Sequence, residues 1–253
     1  MNIRLLLLPA VFVLFLSSCK KDKDDTSDPT PTTTNKITVQ VSNVVDGSPV
    51  VFGQLIYTNA FGSSYSIDLL KYYLTNFRLV ATDSSVHNFR NYDLINAADT
   101  TTCNFAYSDI PERTYCKVRF YLGVDADSNH TGAQSGDLDP VNGMIWTWST
   151  GYIFFKHEGQ FLDTVGATQD LLYHFGTDAV LTEIEIPITP FTLGETDQKT
   201  IHLEFDLNGL YGSNTIVDFN GNNIRQSLSV DDRPWMSDLM NNFPGAFRIT
   251  SID

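Results

Sequence analysis

The sequence has little positive charge, few cysteines and no long apolar run. Its 253 residues hold 16 Lys and Arg against 30 Asp and Glu, which gives a formal net charge of −14. An acidic surface repels phosphate backbones, so this composition argues against nucleic acid as a partner. The longest apolar run, residues 5–16, is shorter than the roughly 20 residues that a membrane-spanning helix needs.

The chain also lacks the short motifs of common enzyme classes. It has no Gly-flanked nucleophilic Ser, no Gly-rich phosphate loop and no His-Glu metalloprotease spacing. Its acidic residues are plentiful, but spacing alone identifies no catalytic pair among them. The sequence therefore predicts a protein without catalytic activity.

The N-terminus has the pattern of an export signal. Residues 1–18 contain one Arg, the apolar run and two serines. Their ending, followed by Cys19, resembles the lipobox of bacterial lipoproteins. This resemblance implies that the chain is cleaved before Cys19 and that Cys19 is acylated. The alternative is an ordinary signal peptide that is cleaved nearby. Each buried methylene of an acyl chain contributes about 0.8 kcal/mol to membrane attachment. We therefore expect an outer-membrane lipoprotein, held at the periplasmic face or the cell surface.

Residues 19–36 are expected to form a disordered tether after the lipidated Cys19. No hydrophobic residue occurs between Cys19 and Ile37, so this segment cannot bury enough apolar surface to offset the entropy of ordering it. The folded part is then residues 37–253, which we interpret as one domain.

This domain has a hydrophobic period of two. Its apolar runs alternate with polar residues or are rich in aromatic and β-branched residues, and Gly, Asn, Asp and Pro clusters separate them. The pattern predicts an all-β fold, an antiparallel β-sandwich, with one short C-terminal helix over residues 231–243. The predicted strands are residues 37–45, 50–58, 72–82, 114–124, 151–161, 181–189 and 200–210.

Two cysteines remain in the domain, Cys103 and Cys116. They lie in two predicted strands joined by a turn around residues 108–113, and a hairpin would put them roughly opposite each other. In an oxidising compartment this arrangement favours a disulfide, with a pair of buried free thiols as the alternative. A slip of one residue would move one thiol to the other face of the sheet.

Two histidines lie in predicted strands. Alternation places His202 on the polar face of its strand, which predicts a solvated residue. The same alternation groups His157 with Ile153 and Phe155. We therefore interpret His157 as a hydrogen-bonded core imidazole rather than a metal ligand.

A long irregular connection, residues 123–152, joins two predicted strands, and loops of this length are usually functional. It contains His130, Trp146, Trp148 and several acidic residues. The alternating oxygens before His130 resemble a calcium loop superficially, but His130 and Gly136 stand where an EF-hand needs Gly and Glu. Turns capped by Asx side chains explain these acids equally well.

Four blocks of the sequence resemble the MbnP-like domain, a family of copper-binding proteins. The similarity covers essentially residues 37–249, and the longest block is specific. In chain order, the blocks are "DLLKYYLTNFRLV" (residues 68–80), "FYLGVDADSNHTGAQSGDLDPVNGMIWTWSTGYIFFKHEG" (120–159), "YHFG" (173–176) and "FPGAFRI" (243–249).

The resemblance implies a β-rich extracytoplasmic protein that binds copper through imidazoles and a tryptophan oxidised to kynurenine by a dihaem partner related to cytochrome c peroxidases. Of the positions that match the family blocks, His174 is the first candidate ligand and His130 the second. Trp146 and Trp148 are scaffolding beside the metal, or one of them is the oxidised ring; we favour scaffolding. A histidine that many relatives carry in the C-terminal helix is missing here.

A second hypothesis needs no metal. The tryptophans and tyrosines of the same loop could stack on a glycan or on a protein partner, which would make the domain a surface recognition module. Loss of copper binding on replacement of His174, with partner binding unchanged, would distinguish the two hypotheses.

Overall fold

Strands dominate the part of the chain that a computed structural model describes, residues 34–147, 150–228 and 232–253. The predicted export signal, Cys19 and Trp148 lie outside these residues. The strands are β1 Lys36–Val45, β2 Ser48–Pro49, β3 Tyr57–Thr58, β4 Ser64–Tyr65, β5 Leu69–Ala81, β6 Val86–Asn88, β7 Tyr92–Asn96, β8 Asn104–Ser108, β9 Arg113–Leu122, β10 Ile145–Thr147, β11 Gly151–Leu162, β12 Thr168–Gly176, β13 Thr182–Leu193, β14 Gln198–Asp206, β15 Ile224–Gln226 and β16 Phe247–Ile252.

The strands form two sheets. The smaller has the order β16-β14-β1-β2, with β8 also on β1, and the larger has the order β13-β9-β5-β11-β12-β15. The short strands β6 and β7 extend the larger sheet from β5, β4 and β10 extend it from β11, and β3 pairs with β4. Most pairs are antiparallel, but β1 runs parallel to β14 and β12 parallel to β15. The predicted all-β sandwich is confirmed.

Aromatic side chains fill the space between the two sheets. Tyr72 of the larger sheet packs on Phe205 of the smaller, with ring centroids 4.8 Å apart, and Phe120 packs on Phe247 at 5.3 Å. Phe155 reaches Phe205 at 6.2 Å. Tilted and edge-on contacts at these distances are the favoured geometries of aromatic pairs. The inward face of the period-two pattern therefore forms the core.

Helices are short in the described residues: α1 Ala126–Asn129, α2 Leu207–Leu210 and α3 Arg233–Ala246. The predicted C-terminal helix corresponds to α3, but it continues through Pro244 and Gly245 instead of ending before them. Phe243 and Ala246 are both buried, so the last turn is held by packing. None of these helices is long and apolar enough to cross a bilayer.

Six of the seven predicted strands exist, and residues 50–58 are the exception, since only Tyr57 and Thr58 are extended there. Two local features explain this break. Gly53 has a φ of +72°, and the hydroxyl of Tyr57 accepts a hydrogen bond from the backbone N–H of Val51. The last predicted strand also ends early, because the Asp206 side chain accepts a hydrogen bond from Asn208 N and starts α2.

The predicted disulfide between Cys103 and Cys116 was wrong, since both thiols are free. The predicted hairpin does not form: β8 pairs with β1 in the smaller sheet, whereas β9 pairs with β5 and β13 in the larger. Cys103 precedes β8, in a 3-10 turn at Thr100–Cys103. Cys116 lies where the register of β9 shifts against both of its neighbours. The turn between the two strands therefore crosses from one sheet to the other.

Candidate functional site

The first candidate ligand, His174, lies on β12 beside a carboxylate of the neighbouring strand β11. Its Nε2 is 2.8 Å from Oε1 of Glu158, and its side chain is 14% exposed. Lys156, which pairs with His174 in the sheet register, places its Nζ 3.2 Å from the same oxygen. Alternate residues of β11 share a face, so the sheet itself brings these three side chains together.

An indole closes one side of this group. The ring of Trp146, on β10, lies 5.6 Å from the imidazole of His174. Its Nε1 is buried and has no hydrogen-bond partner in the described structure. A Cβ on Gly176 would lie 2.9 Å from that nitrogen and 2.5 Å from the carbonyl oxygen of Tyr152, so only glycine leaves room here. We call His174, Glu158, Lys156 and Trp146 the His174 cluster.

The electrostatics of the cluster keep the imidazole neutral. Burial, helped by the positive charge of Lys156, lowers the pKa of His174 against the opposing effect of Glu158. Partial burial opposes ionisation of Glu158, but hydrogen bonds from His174 and Lys156 outweigh it and lower the pKa of that carboxyl. The carboxylate therefore accepts the Nε2 proton, and Nδ1 of His174 keeps its lone pair.

The second candidate, His130, belongs to a different group. Its Nε2 is 2.8 Å from Oδ2 of Asp178, and its side chain is half exposed. The other oxygen of Asp178 accepts a hydrogen bond from the amide of Asn129, whose own oxygen accepts one from Tyr152 N. No hydrogen bond or ring contact in the described structure joins His130 to His174. The two predicted ligands thus have separate carboxylate partners.

The acidic residues of the long loop are used in local structure. Asp125 caps α1 and also accepts hydrogen bonds from Asn76 and Tyr92. Asp137 accepts a hydrogen bond from Leu94 N, and Asp139 caps a 3-10 turn. Of the two explanations for these acids, the Asx-capped turns agree with the observed contacts.

The histidines of β11 and β14 behave as predicted. His157 is fully buried, with Nδ1 2.5 Å from the hydroxyl of Tyr211 and Nε2 3.2 Å from the carbonyl oxygen of Ser66. Burial lowers its pKa to about 4, so the ring is neutral. His202 lies on the outer face of β14 and pairs with Asp253 at 2.8 Å.

The donor set of the described residues is incomplete for copper. They contain no group of three His, Cys, Asp or Glu side chains that could hold a metal ion. Met144 and Met236 are buried in the hydrophobic core. The cluster supplies one neutral imidazole, which suits copper, and one carboxylate that is already used to orient it.

Sequence reasoning missed two residues of these groups, Glu158 and Asp178. Both are acidic residues in an acidic chain, so their identity alone carries no signal. The pairing of β11 with β12, which was not predicted, brings Glu158 to His174. Asp178 starts the 3-10 turn Asp178–Val180, just beyond that strand.

Comparison with known proteins gives the family of this chain. A model of the MbnP family matches residues 34–229. Among solved structures, MbnP from Methylosinus trichosporium is similar, with 17% sequence identity, a TM-score of 0.47, and coverage of 72% of this chain and 79% of that chain. The curated proteins include no match. Because the family match spans most of the chain, this protein belongs to the MbnP family.

Proposed function

We propose that this protein is a non-catalytic, extracytoplasmic copper-binding member of the MbnP family, acting in metal acquisition or sequestration, with Nδ1 of His174 as its principal donor. The observation that carries the proposal is the His174 cluster. A mostly buried, neutral imidazole has its Nε2 fixed by Glu158, while no hydrogen bond from a described residue reaches Nδ1. A carboxylate that orients a histidine in this way raises its basicity toward a metal.

Because the donor set is incomplete, we expect a limited affinity for copper. Copper favours imidazole nitrogen, but a tight site requires three or four protein ligands. Since the described residues bring no third His, Cys, Asp or Glu to His174, we expect weaker and more exchangeable binding than in a complete site. We place His174 before His130 because the His174 side chain is 14% exposed, whereas that of His130, which pairs with Asp178, is 50% exposed.

A titration with Cu(I) against a competing chromophoric chelator tests the proposal. The wild-type protein should bind a single equivalent, and its tryptophan fluorescence should fall because Trp146 lies beside His174. His174→Asn should abolish both signals. The matched control His202→Asn removes an imidazole that also pairs with a carboxylate, that of Asp253, on the other sheet, and should leave binding unchanged.

Three results would overturn the assignment. Equal copper binding by the wild type and His174→Asn would exclude His174, and loss of binding in His130→Asn would restore the other candidate. Absence of copper binding, together with retention of a glycan or protein partner by every variant, would favour the recognition module. The intact mass after incubation with a dihaem peroxidase partner would show whether a tryptophan is oxidised.

We also propose attachment to the outer membrane through Cys19. The support is the lipobox-like ending of residues 1–18 and the polar tether that follows. Cys19→Ser should move the protein from the membrane fraction to the soluble fraction and remove labelling by a radioactive fatty acid. Membrane attachment of the variant equal to the wild type would contradict the anchor, whatever the result of the copper titration.

A further inference from the structure

Tyr211 and His157 form a buried phenol–imidazole pair that the proposed copper site does not use. Both residues are fully buried. The hydroxyl of Tyr211 lies 2.5 Å from Nδ1 of His157, and Nε2 of His157 lies 3.2 Å from the carbonyl oxygen of Ser66. Since a carbonyl can only accept, Nε2 carries the ring proton and Nδ1 accepts from the phenol. The pair thus has a defined proton donor and a defined base.

This pair lies within a line of oxidisable rings. Trp235 packs on Tyr173 with centroids 5.0 Å apart, and Tyr173 packs on Tyr211 at 5.9 Å. Tyr211 packs on Tyr65 at 5.8 Å, and Tyr65 on Tyr57 at 5.5 Å. Each ring is therefore in contact with the next across the domain, from helix α3 to strand β3.

Within that line, Tyr211 is the member with a base for its phenolic proton. Tyr57 donates to the Val51 carbonyl and Tyr65 to the amide oxygen of Asn208, and neither acceptor takes up a proton near neutral pH. Tyr107 lies outside the line. It donates to the carboxylate of Asp93, and its ring neighbours are phenylalanines, which do not carry oxidising equivalents as tyrosine does.

Burial makes the base necessary. Removing an electron from a phenol that kept its proton would leave a cation radical in an apolar core, at a large cost in desolvation. Transfer of the proton to the neighbouring imidazole leaves a neutral phenoxyl radical and an imidazolium, and it is favourable because a phenol cation radical is a far stronger acid than an imidazolium. Burial keeps His157 neutral, with a pKa of about 4, so its Nδ1 is free to accept that proton.

We propose that Tyr211 is the proton-coupled redox site of an electron relay, in which its electron leaves the core past the ring of Tyr173 to Trp235 without deprotonation of Tyr173. The electron passes to a high-potential metal-complex oxidant outside the protein, which is reduced by one electron. The O–H bond of Tyr211 breaks and an N–H bond forms at Nδ1 of His157. A one-electron reductant of the thiol class then reduces the radical, and the proton returns from Nδ1 to the phenolic oxygen. The relay does not depend on copper, so it extends the proposed function and does not rest on it.

Oxidation of the metal-free full chain by photogenerated tris-bipyridyl ruthenium(III) tests the relay. Electron paramagnetic resonance of frozen samples should show a neutral tyrosyl radical in the wild type. Tyr211→Phe, which removes only the hydroxyl, should lose more than half of this signal. Tyr107→Phe is the control, since it removes a partly buried phenol that is also hydrogen-bonded, and it should keep the signal.

The role of His157 as the proton acceptor is tested by the rate of radical formation. The rate of radical formation in the wild type should fall in deuterated buffer, because the O–H bond breaks in that step, and His157→Gln should slow it with Tyr211 still present. Circular dichroism shows whether each variant is folded; if His157→Gln is not, Tyr211→Phe and the solvent isotope effect decide the question. A radical yield in Tyr211→Phe equal to the wild type, or a rate indifferent to deuterium, would overturn the proposal.

Discussion

Replacement of Asn242 by Leu is expected to lower the free energy of unfolding by about 4 kcal/mol or more. Asn242 lies in helix α3, is fully buried, and makes four hydrogen bonds to the backbone at the end of α2 and in the segment after it. Its amide donates to the carbonyl oxygens of Leu210 and Thr215, and its oxygen accepts from the N–H groups of Asn214 and Thr215. Every hydrogen-bonding position of the side chain is thus used.

Leucine branches at the same carbon as asparagine and cannot form any of these bonds, and its larger volume adds crowding to the expected loss. Each buried backbone group that loses its partner costs about 1 to 3 kcal/mol, and rearrangement of the loop recovers part of the total. Urea denaturation followed by circular dichroism measures the difference. Asn242→Asp keeps the two acceptor positions but places an acceptor oxygen against the carbonyl oxygens of Leu210 and Thr215, so it should be destabilised as well.

The neighbouring residue provides the control. Asn241 is exposed, and its side chain makes no hydrogen bond in the described structure, so Asn241→Leu should leave the free energy of unfolding almost unchanged. A stability of Asn242→Leu equal to that of Asn241→Leu would show that this junction does not depend on the Asn242 side chain.

The long strands could be predicted because burial on one face imposes a period of two on the sequence. Strand β14 shows this: Ile201, Leu203 and Phe205 are buried, and His202 between them is not. Pairing could not be predicted in the same way. The parallel contact of β1 with β14 joins segments about 160 residues apart, and no local signal specifies such a partner. The disulfide prediction failed for the same reason.

The site was only partly accessible from the sequence. The family resemblance singled out His174, and alternation identified His157 as a core residue. The cluster itself is a product of sheet register, which places Glu158 beside His174 and brings Trp146 to the same edge. Asn242 was missed altogether, because a buried polar residue is recognised by its four partners and not by its own identity.

Replacement of His157 by Leu is expected to lower the free energy of unfolding at pH 7 by about 3 to 5 kcal/mol. The variant leaves two buried groups without partners, the hydroxyl of Tyr211 and the carbonyl oxygen of Ser66. Urea denaturation of the wild type and the variant measures the loss. Because leucine fills most of the imidazole volume, a cavity accounts for little of it.

The difference in free energy of unfolding between the wild type and His157→Leu should become smaller as the solution becomes acidic. Burial holds the pKa of His157 at about 4, below the ordinary value of 6.5, so the native state binds fewer protons than the unfolded chain between these two pH values. The stability of the wild type therefore falls as pH falls through this window, by about 3 kcal/mol for this residue. A leucine at this position does not titrate and contributes no such change.

Asp93 opposes this trend and must be separated from it. Burial raises the pKa of Asp93 to about 6 against its hydrogen bonds from Asn91 and Tyr107, so the native state binds more protons than the unfolded chain between about pH 4 and 6. Its contribution to stability therefore increases as pH falls, in both proteins alike. The difference between the wild type and His157→Leu cancels Asp93 and isolates the imidazole. A difference that stayed constant from pH 7 to pH 4.5 would contradict a neutral buried His157.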